Sequence, residues 1–150
     1  MVTLNIKVTT VQPTEANGYL VAARGMLAGA LPLENVQPLP VYALTLLCGH
    51  ACEAALKAVL SQNGIAVNNL GRKPYGHNIL HLWSTAIKVE LAFPPPSWVA
   101  RLNRVYDKPY HLRYPLGFQG IVLPNQKAML KDTKKLVALA TTYVRERSNA

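Results

Sequence analysis

Acidic residues are scarce in this chain: seven Asp and Glu stand against 16 Lys and Arg in 150 residues, a formal charge of +9 at pH 7. No two of these carboxylates stand out as a paired acid and base. A glycine-rich phosphate loop and a Ser, His, acid order are missing as well, which sets aside two common groups of enzyme motif. Cysteine is limited to Cys48 and Cys52, and with no export signal ahead of them the expected compartment is the reducing cytoplasm. The longest stretch free of Lys, Arg, Asp and Glu, residues 35–52, contains Pro38, Pro40 and His50 and makes a poor membrane span. Internal repeats and low-complexity segments are absent, so no membrane partner and no repeat architecture is expected.

What is abundant is apolar or basic. Half of the residues are hydrophobic, enough to close one substantial core in a single domain over residues 1–150. Positive charge is concentrated as well as high: from Arg101 to Lys135 eight Lys and Arg face only Asp107 and Asp132. That imbalance favours an anionic partner, nucleic acid ahead of a membrane surface.

Periodicity predicts an all-α, up-and-down bundle of four to five helices, with at most a minor two-stranded element. Val2, Leu4, Ile6 and Val8 alternate with polar residues as in a half-buried strand, and residues 118–123 are the other β-rich run. Thr14 can cap a first helix carrying Leu20, Ala23, Leu27 and Leu31. After a proline-rich loop, residues 41–63 form the expected centre of the fold, with Gly64 as the stop. Leu44, Leu47, Cys48, Ala51, Ala55, Ala58 and Val59 make a broad apolar face, and His50, Glu53, Lys57 and Ser61 a narrow polar stripe. A third helix starts at His77 or Asn78 with Leu80, Trp83, Ile87 and Leu91 on one face and ends at Pro94. A fourth covers 97–106 with Trp98, Leu102 and Val105 inward, stopped ahead of Pro109. The last runs from 125 to about 147.

Local spacings have plain structural readings. Cys48 and Cys52, four apart on an apolar helix face, read as buried thiols; no further metal ligands accompany them, and no metal or cofactor is expected. His77 reads as a helix cap and His81 as packed or exposed. Glu53 and Lys57 read as a surface pair at helical spacing. The one stretch that points to function is 97–115. Arg101, Arg104, Lys108 and Arg113 surround a single acid, Asp107, and Tyr106, Tyr110, His111 and Tyr114 supply rings and proton-transfer groups. Cations interleaved with aromatics suit the phosphates and bases of a nucleotide or RNA.

Four features in order carry a family resemblance: HACEAALKAVLSQNG over 50–64, GHNILHLW over 76–83, the basic helix end, and RYP over 113–115. Together they span residues 50–115 in the expected order, and the chain resembles the HEPN family of small all-α nucleotide- and RNA-associated domains. The resemblance implies a homodimer and, in catalytic members, metal-independent RNA cleavage by an arginine and a histidine with four to six residues between them. Arg104 and His111, with six residues between, satisfy that rule, and so do Arg72 and His77, with four. The basic aromatic setting favours Arg104 and His111 as the catalytic pair, although Val105 stands where the family usually has a polar residue. Arg101, Lys108, Tyr110, Arg113, Tyr114, Lys131 and Lys134 are the expected substrate contacts.

Three functions fit these residues. One is a dimeric ribonuclease of toxin or defence type, with an antitoxin as partner. Another is a non-catalytic nucleotide- or RNA-binding module that works with a separately encoded nucleotidyltransferase. The third is a structural interaction protein whose basic face is only solvated.

Overall fold

The computed structural model describes residues 14–115 and 120–148. They form α1 (Glu15–Ala30), a 3-10 turn (Leu31–Asn35), α2 (Val41–Gln62), the single turn α3 (Val67–Leu70), α4 (Ile79–Lys88), α5 (Trp98–Tyr106) and α6 (Gln126–Ser148). The fold is an all-α bundle, and no strand occurs among the described residues. Residues 2–8 lie outside them, as do 118 and 119, while 120–123 are irregular chain.

Local chemistry accounts for the helix ends. The Thr14 hydroxyl accepts from Asn17 N at 3.2 Å and starts α1. Gly64 takes a φ of +90° just beyond α2, where a side chain would be strained. Asn125 accepts from Ala128 N at 2.9 Å and starts α6.

The centre is α2, of whose 22 residues 13 are buried, so it needs neighbours on several sides. They are α1, α4, α5 and α6. By length and composition α2 alone among the described helices could cross a bilayer, but these neighbours cover most of its apolar residues. Its partners step along it in register. Thr45 meets Gln126 at 2.9 Å, Cys52 meets Thr133 at 3.4 Å, and Asn63 meets the Tyr143 hydroxyl at 2.6 Å, so α6 runs alongside α2 in the same direction. Thr133 gives its own hydrogen to Met129 O at 2.7 Å, which leaves the Cys52 thiol as donor in that contact.

Two expectations are corrected. The buried face of α4 is Ile79, Leu82, Trp83 and Ala86, and Leu80 and Ile87 are exposed, one position away from the face expected. The helix also stops at Lys88, before Leu91. Secondly, α4 is capped by Asn78, whose side chain accepts from His81 N at 2.9 Å, which leaves His77 outside the helix for another contact.

Candidate functional site

The α5 helix is amphipathic: Trp98, Val99, Leu102, Val105 and Tyr106 are buried, while Arg101 and Arg104, three apart, share the exposed face. Trp98 fixes it to α6 by donating its indole N–H to Asp132 Oδ2 at 2.7 Å. Beyond Tyr106 the chain folds back on itself. Asp107 accepts from Lys108 N at 2.8 Å through its side chain and from Tyr110 N at 2.8 Å through its carbonyl, and Leu112 N donates to Val105 O at 2.8 Å. This compact turn returns His111 to the helix it has just left.

The result is an open cleft of about 440 Å³ lined by Arg101, Arg104, Val105, His111 and residues 120–122. The two residues expected to be catalytic therefore line one cavity, with Arg101 beside them and no carboxylate among the described residues of its wall. Val105, whose side chain faces mainly inward, is 8 % exposed. The other expected contacts are distributed. Lys108 and Tyr110 line a second cleft, the Arg113 guanidinium lies 5.4 Å from the centre of the Tyr110 ring, and Tyr114, Lys131 and Lys134 are exposed outside both clefts.

Beneath the second cleft lies a polar cluster. Glu53 and Lys57 are not a surface pair: their side chains are only 13 % and 9 % exposed, and they stand 3.9 Å apart. The turn ahead of α4 and the end of α5 cover the polar stripe of α2. Glu53 Oε1 holds His77 Nδ1 at 2.5 Å. His50 Nδ1 lies 2.9 Å from the Tyr106 hydroxyl, and the His77 ring meets Tyr106 and Tyr110 edge-on.

Burial sets the charge states within this cluster. It holds the His50 imidazole below its ordinary value; Arg113 and His77 push the same way and Glu53 opposes them. Burial, reinforced by Glu53, raises the Tyr106 phenol well above its usual range. The phenol therefore keeps its hydrogen, and its hydroxyl and His50 Nδ1 form one hydrogen bond whose direction follows the imidazole tautomer. The thiols are held neutral too, Cys48 pushed up to about 11 and Cys52 to about 12 by burial. Among the described residues no group of three or more His, Cys, Asp or Glu could hold a metal ion.

Sequence reasoning did not find this cluster as a site. Its signal was present: His50 and Glu53 are three apart on the polar stripe, and HACE, GHN and RYP are three of the segments that carry the family resemblance. Those segments meet in space, with His77 between Glu53 and the α5 end.

No family model matches the chain, and no curated protein or solved structure matches it either.

Proposed function

We propose that the chain is a HEPN-like, RNA-associated cytoplasmic protein that cleaves RNA without a metal, as a homodimer, at the cleft shared by Arg104 and His111. The observation that carries this reading is the convergence of Arg101, Arg104 and His111 on one cavity whose wall has no acid among the described residues. An anionic backbone entering it meets two guanidinium groups and one imidazole.

The chemistry balances with the groups at hand. The ribose 2′-hydroxyl attacks phosphorus and its proton passes to an imidazole; the P–O5′ bond breaks and the leaving oxygen takes a proton from an imidazolium, giving a cyclic phosphate and a 5′-hydroxyl. Arg104 offsets the charge that develops on the phosphoryl oxygens. DNA lacks the nucleophile and is expected to be inert. One arginine and one histidine make a sparse centre, which two copies across a two-fold axis would complete. Two buried, unpaired thiols accord with a reducing compartment.

Val105 favours a second reading. With an apolar, largely buried residue after Arg104, the same cleft suits a module that binds RNA without cutting it and serves a separately encoded nucleotidyltransferase. Incubating purified protein with RNA in EDTA separates the two. Cleavage lost in Arg104→Ala supports the first; salt-sensitive retention of RNA with no cleavage by wild type supports the second; neither retention nor cleavage removes both.

A further inference from the structure

We propose that the second cleft, between the turn ahead of α4 and the turn after α5, is a binding site for a phosphate monoester, with His77 as the contact that Glu53 positions. This site is separate from the Arg104 and His111 cleft and does not depend on RNA cleavage there.

The cleft has a volume of about 460 Å³, within the range of small-ligand sites, and its wall includes Arg72, Lys73, Tyr75, His77, Lys108 and Tyr110. Three cations in one wall are the first consideration. The Arg72 guanidinium donates to a neutral acceptor, Asn69 Oδ1, at 2.7 Å. Among the described residues neither Arg72, Lys73 nor Lys108 forms an ion pair with a carboxylate. The one acid in the wall, Asp107, accepts from the backbone of Lys108. A diester carries one negative charge, whereas a terminal phosphate carries nearly two near neutrality and offers three oxygens, which three cations and an imidazole match better.

His77 supplies the orientation. Its Nδ1 is committed to the largely buried Glu53, and the ring, 37 % exposed, lies in the cleft wall. A carboxylate behind an imidazole fixes the ring and directs Nε2 outward, toward a ligand. Lys57 already stands beside Glu53, so balancing the buried carboxylate does not by itself call for His77.

Two rings flank these charges. Tyr110 is held in left-handed backbone, φ +63°, with its ring against His77 and near the Arg113 guanidinium. Tyr75 packs on His81 across the cleft wall. Such rings offer faces to a planar base attached to the phosphate. The shared chemistry is thus a terminal phosphate on a nucleotide, from a free mononucleotide or from a phosphorylated RNA end.

Calorimetric titration of the full chain with adenosine 5′-monophosphate tests the site. Saturable binding is expected, at least tenfold weaker for the methyl ester of the same nucleotide and undetectable for adenosine. Arg72→Ala, Lys108→Ala and His77→Gln should each weaken it about tenfold, while Arg104→Ala and His111→Ala leave it unchanged. Arg72 and Lys108 are exposed, so their variants should keep the wild-type circular dichroism, and Gln at 77 retains a donor for Glu53. Competition by a 5′-phosphorylated oligonucleotide but not its 5′-hydroxyl counterpart would identify the RNA end as the source; no competition by either would identify the mononucleotide. Absence of saturable binding by folded wild type, equal affinity for ester and diester, or insensitivity to all three cleft variants would overturn the proposal.

Discussion

A methyl group at position 49 would stand 2.6 Å from Cδ2 and Cε2 of the Tyr106 ring, so α5 reaches α2 only because residue 49 is glycine. Tyr106 is 1 % exposed and its hydroxyl is engaged with His50, so it has little room to withdraw. Alanine would improve helix propensity by about 1 kcal/mol, but overpacking at a pinned aromatic costs about 1–3 kcal/mol and displaces the end of α5. Gly49→Ala should therefore lose stability in urea denaturation despite being the better helix former. A more stable Gly49→Ala would show that Tyr106 is not fixed as described.

The enclosed Glu53 makes a further prediction. Its removal leaves Lys57, 7 % exposed, without its partner and frees His77. Glu53→Ala should cost about 3 kcal/mol of stability, as expected when one member of a buried pair is deleted. Glu53→Gln, whose amide oxygen can still accept from His77, should cost roughly half as much. Equal, negligible losses in chemical denaturation would place the pair on the surface.

That pair also shows how far the sequence could be read. The helices were legible because their ends are written in local chemistry: Thr14 as a cap, Gly64 as a stop, prolines around 38–40 and 94–96 as breaks. Periodicity reports polarity, however, and not what covers it. The stripe of His50, Glu53 and Lys57 looked solvated because its cover, the turn ahead of α4 and the end of α5, is distant in sequence. The α4 face was misjudged by one position because Ile79, Leu80, Leu82 and Ile87 offer two overlapping apolar stripes, and only tertiary packing chooses between them. Spacing fitted Arg104 with His111 and Arg72 with His77 alike; the backbone bond from Leu112 to Val105 that turns the chain back, so that Arg104 and His111 line one cleft, was not readable.

His50 should make stability depend on pH. Folding holds its imidazole below the ordinary value of 6.5. Between the two values the unfolded chain binds a proton that the folded chain does not, so this contribution is complete above about pH 6.5 and is lost as pH falls below it. Arg113 and His77 reinforce the effect and Glu53 reduces it. Urea midpoints should rise with pH through this window for wild type and rise less for His50→Gln. Parallel curves would remove His50 as a cause.

The thiols titrate with the opposite sign. Cys48 and Cys52 are raised from 9.0 to about 11 and about 12, so above about pH 9 the unfolded chain loses protons that the folded chain keeps, and stability falls with rising pH. At neutral pH both should resist alkylation until the protein opens, because thiolate is scarce and access is blocked. Rapid labelling of the native protein would contradict their burial.

The central claim is that Arg104 and His111 form one reaction centre for RNA, and the rate of RNA cleavage in EDTA by His111→Ala tests it most directly. Wild type should yield products with 5′-hydroxyl and cyclic phosphate ends. His111→Ala, with wild-type circular dichroism and sedimentation, should be slower by about 10²-fold or more, because proton transfer by a positioned side chain contributes that much. Cleavage by His111→Ala at the wild-type rate would contradict the claim.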